Sequence, residues 1–383
     1  MPATSNNHRQ KVFLVGLALP KQSRFAVEEH LDELAELASS AGAEVVGRAI
    51  QQRPSPDPAT YIGRGKAETL AEEARSLGAV VMVFDDDLSG SQAKNLEDVL
   101  KLAVEDRSSL ILRIFDQRAK SREARTQVEL ARLKYQLPRL TRQWGHLSRQ
   151  QGGVGVRGGE GETQLEADRR VLRQRIRSLE RDLKKIERTR ATQRRGRSGV
   201  PTVALAGYTN AGKSTLFNAL TDAGTPTENR LFATLDAKLR RGALGDGREA
   251  VFADTVGFIR KLPHHLVASF RSTLEESARA DLVLHVVDRS HPRWQEQMEI
   301  ANEVLKELGV DPEHVLTVYN KRDLLAPGEI GFGDGLWVSA VTGEGLHALR
   351  EEIVRRLSIE APREYFQVEP EPVASEEDAM SVS

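Results

Sequence analysis

Gly207-Tyr208-Thr209-Asn210-Ala211-Gly212-Lys213-Ser214 has the spacing G-x-x-x-x-G-K-S, which is that of a phosphate-binding loop. Its backbone amides and the N-terminus of the helix that follows would cradle phosphate oxygens. Lys213 would reach the β and γ phosphates and the Ser214 hydroxyl would face Mg2+, while Thr215 and, further along, Phe232 join the nucleotide-binding residues. Further along, Asp254-Thr255-Val256-Gly257 closes an apolar run. There a carboxylate can hold Mg2+ through water while the Gly257 amide meets the γ-phosphate. The plainer reading of Asp254 is a cap on the next turn. Between the two lies Thr234, in Phe232-Ala233-Thr234-Leu235. Its hydroxyl is placed to complete the metal shell only while the γ-phosphate is present, which makes a switch, although a lone threonine is a weak signal. Lys213, Thr234, Gly257 and Asn210 are the candidates for catalysis, and Ser214, Thr234 and Asp254 for the metal.

The base is specified separately. In Asn320-Lys321-Arg322-Asp323 the aspartate can accept from both N1–H and the exocyclic amine of guanine, a donor pair that adenine does not offer. Asn320 would bind the other edge, the Lys321 stem would stack, and a backbone amide of Ser339-Ala340 would meet the guanine carbonyl. Phe258 follows Gly257 where many GTPases carry a glutamine that orients the attacking water, so intrinsic hydrolysis is expected to be slow. Asn210 suits either a tight turn or a cation beside the phosphates.

The elements that must position these residues form an α/β pattern. Strands are expected at Val203 to Ala206, Ala250 to Asp254, Leu282 to Val287, Val315 to Tyr319 and Leu336 to Ser339, with helices starting near Ser214, Leu266, Pro292 and Gly345. An earlier, smaller α/β region has expected strands Val12 to Leu17, Ala43 to Ala49, Val80 to Phe84 and Leu110 to Ile114, with helices Ala26 to Ser40, Lys66 to Ser76 and Ser91 to Leu100. Between them, leucine seams (Leu130, Leu133, Leu137, Leu140; then Leu165, Leu172, Ile176, Leu179, Leu183) point to an antiparallel helical hairpin, kinked at Pro138 and tipped by the glycine-rich Gln151 to Gly161. The expected fold class is therefore α/β: a P-loop GTPase domain preceded by a small α/β domain and that hairpin. The divisions are 1–117, 118–197, 198–360 and an acidic, disordered tail at 361–383.

Composition narrows the classes. With no cysteine among 383 residues, disulfides, thiol nucleophiles and cysteine-ligated metals are excluded. No apolar run is long enough to span a membrane, and the short one at Val12 to Leu19 lacks a cleavage site, so a cytoplasmic protein is expected. The formal net charge of −1 conceals a basic middle, with roughly 23 basic and about nine acidic residues from Arg118 to Arg197. Such an excess suits a polyanion. Gly63-Arg64-Gly65-Lys66 reads as a strand-to-helix turn, Asp85-Asp86-Asp87 as a solvated loop with helix capping nearby, and His264-His265 as an exposed pair.

In order, Lys213, Thr234, Asp254, Asn320, Asp323 and Ala340 resemble the signature of the P-loop GTPases. More narrowly, Tyr61-Ile62-Gly63-Arg64-Gly65-Lys66, Phe84-Asp85-Asp86-Asp87-Leu88-Ser89, Gln127-Val128-Glu129-Leu130-Ala131, Leu137-Pro138-Arg139-Leu140 and Gly161-Glu162-Thr163-Gln164-Leu165-Glu166 are similar to signature runs of the HflX family of ribosome-associated GTPases. That resemblance spans roughly residues 12 to 357. It implies GTP hydrolysis with Mg2+, with K+ beside Asn210, and a monomer that binds the large ribosomal subunit. It further implies a hairpin tip placed near the peptidyl-transferase centre and the splitting of stalled ribosomes. Arg149, Gly152, Gly153, Gly155 and Arg157 are the implied RNA contacts. Two departures stand out. The stretch Arg157 to Thr163 is one residue longer than the family's usual Arg-Gly-Pro-Gly-Glu-Thr and lacks its proline, and an acidic run stands where many relatives have a further domain. The rival readings are a GTP-regulated protein scaffold, a ribosome-assembly factor and, more weakly, a membrane-surface protein.

Overall fold

The computed structural model describes residues 9–140, 160–195, 200–221, 224, 231–232, 234–245, 248–263, 277–326, 328, 331 and 335–359. The first domain is built on four parallel strands, β1 (Gln10–Ala18), β2 (Ala43–Gln52), β3 (Val81–Phe84) and β4 (Ala103–Asp106), in the order β2-β1-β3-β4. Helices α1 (Arg24–Ser40), α2 (Arg64–Ser76) and α3 (Gly90–Leu100) make the three crossovers, and α4 (Arg107–Arg118) follows the last strand. Parallel strands need such covering on both faces, and β1 and β3 are accordingly near-continuous apolar runs. Gly63, at φ 85, opens α2 as the expected turn.

The fourth expected strand is a correction. Leu110 to Ile114 lies inside α4, and the true fourth strand ends at Asp106, whose carboxylate caps α4 by accepting from the Ser109 amide at 2.9 Å. Leu110, Ile111, Ile114 and Phe115 are all buried because α4 is covered on several sides. A helix apolar all round loses its 3.6-residue periodicity and imitates a buried strand.

Pro138 interrupts the helix where a bend was expected. Helix α5 (Arg122–Gln136) gives way to a turn at residues 137–139, in which Arg139 N–H closes on the Gln136 carbonyl at 2.9 Å, and Leu140 is helical again. Proline offers no amide to the helical ladder. The break is pinned to the first domain, since the Arg139 guanidinium donates to the Leu88 carbonyl at 2.6 Å and to Asp106 at 2.5 Å. Helix α6 (Glu160–Arg195), about 54 Å long at 1.5 Å per residue, packs on α5. Leu130 and Leu133 meet Ile176, Leu179 and Leu183, with Leu137, Leu172 and Ile186 at the margin. The expected tip, with Arg149, Gly152, Gly153, Gly155 and Arg157, lies outside the described residues, as do the helix near Leu266, His264-His265 and the acidic tail.

The last domain holds β5 (Thr202–Ala206), α7 (Lys213–Thr221), β6 (Lys238–Ala243), β7 (Glu249–Asp254), β8 (Leu282–Asp288), α8 (Trp294–Glu307), β9 (Val315–Asn320), β10 (Leu336–Trp337) and α9 (Leu346–Ile359). Its sheet order is β10-β9-β8-β5-β7-β6, parallel except for β6, which pairs antiparallel with β7. Strand β6 was not expected. As an exposed edge strand reading Lys-Leu-Arg-Arg-Gly-Ala, it has the charge that edges carry against aggregation and little apolar signal. One face of the sheet packs Phe217, Phe252, Leu284 and Ile353. The other face shares a single apolar cluster with the first domain, in which Leu14, Leu31 and Phe115 join Tyr208, Phe232, Leu235 and Phe258.

Candidate nucleotide and metal site

The site residues gather at the carboxyl ends of the parallel strands, where such sheets open a crevice. Strand β5 runs into Gly207 at φ 147, and a Cβ there would stand 2.2 Å from the Val286 carbonyl oxygen of β8. Asn210 turns left-handed at φ 62, the turn role expected of asparagine, and Gly212 follows at φ 89. A Cβ on Gly212 would fall 2.3 Å from Asn320 Nδ2, so the loop is wound too tightly for any side chain at either glycine. Lys213 opens α7 and is 6% exposed; its Nζ donates to the carbonyls of Gly207 at 3.1 Å and Tyr208 at 2.7 Å. Burial brings this ammonium down to about 8, against the partial restoring pull of Asp254. The group is held at the loop by neutral acceptors and, among the described residues, has no direct counter-ion, an arrangement suited to phosphate.

Three segments distant in sequence converge beside it. Ser214 Oγ donates to Asp254 Oδ2 at 2.7 Å, Thr234 Oγ1 donates to the same oxygen at 2.8 Å, and the two hydroxyls lie 3.1 Å apart. Asp254 is fully buried, and among the described residues its Oδ1 has no partner. A buried carboxylate with an idle oxygen and two adjoining hydroxyls is a hard-oxygen donor set of the kind Mg2+ takes. Gly257 lies against the loop, where a Cβ would stand 2.9 Å from Lys213 Nζ. Phe258 extends the contact, its N–H donating to the Gly207 carbonyl at 3.0 Å and its carbonyl accepting from Thr209 N–H at 2.7 Å.

On the base side, Asn320 Nδ2 donates to the Ala211 carbonyl at 2.9 Å, and its Oδ1 accepts from Ala340 N–H at 3.1 Å. Both ends of this side chain are committed to backbone, so Asn320 braces the phosphate loop against the Ser339-Ala340 loop. Ser339 Oγ donates to Asp323 Oδ1 at 2.6 Å and aims that carboxylate. Lys321, left-handed at φ 63, extends its ammonium to Asp288 at 2.6 Å. Asp288 was missed in the sequence, although an acid ending the apolar strand Leu282–Asp288 was a readable signal. Thr215 sits in the first turn of α7. The Phe232 ring is turned away, edge-on to Phe115 of α4 with centroids 4.7 Å apart.

Residues 28–116, 118–197 and 202–321 match, in that order, the families described as GTP-binding GTPase N-terminal, GTP-binding GTPase Middle Region and 50S ribosome-binding GTPase. A protein of Magnetococcus marinus named GTPase HflX is 50% identical over 343 residues, which cover 88% of this chain and 79% of that protein. The chain belongs to the HflX GTPase family. The Escherichia coli K12 protein of the same name is 46% identical over 352 residues, covering 90% of this chain and 82% of that one. A solved complex of a protein called SsGBP with GDP superposes with a TM-score of 0.50 at 25% identity, covering 91% of this chain and 98% of that one.

In this HflX-family chain the nucleotide site is also tied to the first domain by buried charge. Arg107, 1% exposed at the start of α4, donates to Asp85 at 2.8 Å, to Glu33 of α1 and to the Arg260 carbonyl at 3.1 Å. Arg260 and Lys261, just beyond Phe258, both reach Asp85 at 3.0 Å, and Lys261 also pairs with Asp86. Tyr208 of the phosphate loop donates its hydroxyl proton to Glu33 and accepts from the Arg260 amide at 2.8 Å. The solvated acidic loop expected at Asp85-Asp86-Asp87 is thus corrected for Asp85: it is 2% exposed, and Ser89 caps the helix instead. Burial outweighs its cationic neighbours and holds the Asp85 carboxyl above its ordinary value. No sequence signal pairs these residues, because the partners lie far apart in the chain and those of Asp85 and Asp86 at Arg260 and Lys261 lie on another domain.

Proposed function

We propose that this chain is a GTP-hydrolysing switch that binds the large ribosomal subunit and splits or recycles stalled ribosomes, hydrolysis timing its release. The observation that carries the switch is the meeting of Ser214, Thr234 and Asp254 at one carboxylate oxygen. Ser214 and Asp254 belong to segments that serve either nucleotide, whereas Thr234 belongs to a segment that joins them only when a γ-phosphate is present. When bound, Mg2+ supplies positive charge across the β and γ phosphates. Lys213 adds a second charge there, the Gly257 amide orients the γ-phosphate, and Asp323, aimed by Ser339, selects guanine. Asn210 offers a side-chain oxygen to K+, which would supply charge where Phe258 supplies none.

The ribosomal part of the reading is supported by the matched 50S ribosome-binding GTPase family and by the basic middle region. In it, 118–197 is the arm, and Arg149, Gly152, Gly153, Gly155 and Arg157 at its tip meet ribosomal RNA. Sedimentation with ribosomes in GTP, GDP and a non-hydrolysable analogue tests it. The expected result is co-sedimentation with large subunits in the analogue, weak association in GDP, and steep loss with rising salt as phosphate contacts give way. Binding indifferent to nucleotide and to salt would instead mark a protein scaffold.

A further inference from the structure

Thr234 stands between two grips on the root of the helical arm. Two residues before it, the buried Phe232 ring packs edge-on against Phe115 in the last turns of α4. Two residues after it, the Asp236 carboxylate accepts from the backbone amides of Lys120 and Ser121, each at 3.2 Å, and from the Ser121 hydroxyl. Ser121 is the N-cap of α5, its Oγ accepting from Ala124 N–H at 3.0 Å. An acid at that position complements the positive end of the helix and satisfies amides that no helical carbonyl can reach. Helix α5 in turn carries α6 through the leucine seam. The side chain that completes the metal cluster and the one that anchors the arm are thus separated only by Leu235, itself 2% exposed.

We propose that Asp236 is a positioning residue that reports the nucleotide state to the arm, by holding the α4–α5 corner while Thr234 is docked and releasing it when Thr234 leaves. The inference rests on the switch reading above and adds the residue that transmits it. Two residues of chain span at most about 7 Å, so Asp236 cannot keep its place if Thr234 moves away by more than that slack allows. Losing Asp236 strips Lys120 and Ser121 of their acceptor and leaves α5 with Ser121 alone as its cap. The arm's base then loosens without any change in the arm itself.

Amide hydrogen exchange on the full chain, loaded with GDP or with a non-hydrolysable GTP analogue, reads this directly. Residues 119–126 should exchange about tenfold more slowly with the analogue than with GDP, the effect of one charge-assisted acceptor. Asp236→Ala should erase that difference and, because coupling is reciprocal, weaken analogue binding by up to about tenfold while GDP affinity, measured by calorimetry, stays within about twofold. Asp236→Asn keeps an acceptor oxygen and should retain the difference. Equal exchange in both nucleotides, or a difference that survives Asp236→Ala, overturns the proposal. Should the parent chain bind no guanine nucleotide, the switch reading falls and this inference with it; binding with nucleotide-independent exchange sinks this inference alone.

Discussion

Nucleotide binding should draw a proton from solution at Lys213. The ammonium is buried, its acceptors are two uncharged carbonyls, and it titrates near about 8. At pH 8 about half of the free protein therefore carries a neutral amine there, and at pH 7 about a tenth. Phosphates placed against Nζ favour the charged form and return it to the usual lysine range near ~10.4. Binding at pH 8 should thus take up about half a proton, falling toward zero at pH 6.5. Between about pH 8 and 10 the affinity should drop by up to about tenfold per pH unit. Titration calorimetry with GDP in two buffers of different ionisation enthalpy separates this uptake from the binding heat. Lys213→Arg, whose guanidinium stays charged, should show none. No uptake by the parent at pH 8, or an uptake as large at pH 6.5, would refute the argument.

Asp323→Asn should move preference from guanosine toward xanthosine nucleotides, since the amide places a donor beside the acceptor that Ser339 still holds; competition binding reads it. Thr234→Ala should leave GDP affinity nearly unchanged while lowering GTP affinity by about tenfold, a loss visible in paired titrations. Hydrolysis by the parent should be faster in K+ than in Na+, and Asn210→Ala should abolish the difference. Asp85→Ala leaves Arg107, Arg260 and Lys261 short of a counter-charge, so it should cost about 3–5 kcal/mol, read as a lowered calorimetric melting temperature.

The candidate nucleotide site was legible because its geometry is local to strand ends. Gly207, Gly257 and Ser339 each follow, and Asn320 ends, a strand whose apolar run is plain in sequence, and a parallel sheet brings such ends to one edge. The spacing within Gly207 to Ser214 carries its own backbone geometry. Leu110 to Ile114 was misread because burial on several sides erases the difference between the two periodicities. Strand β6 was missed because an exposed edge carries charge in place of pattern. The contacts of Asp236 with Ser121 and of Asp85 with Arg260 were beyond reading. Each residue alone is an ordinary polar side chain, and only the packing of separate parts of the chain gives it this partner.

That docking also gives Phe258 a purpose. In sequence it is the residue that cannot orient water; in the structure its ring is buried in the apolar cluster shared by both domains, while its backbone pairs with Gly207 and Thr209. A glutamine with the same backbone course would carry a polar amide into that cluster, at a cost of about 1–3 kcal/mol if unpaired. The position is therefore committed to holding the segment after Gly257 against the first domain, and Arg260 and Lys261 continue the grip two and three residues on. Apolar area supplies the attraction, while buried charges that offset their own desolvation supply orientation more than strength. The mutual placement of the domains brings Arg260 and Lys261 onto Asp85 and Asp86, beside the pairs that Arg107 makes with Asp85 and Glu33 inside the first domain. Phe232 and Phe258 thus both rest on the first domain, so moving either segment must break apolar contact with that domain.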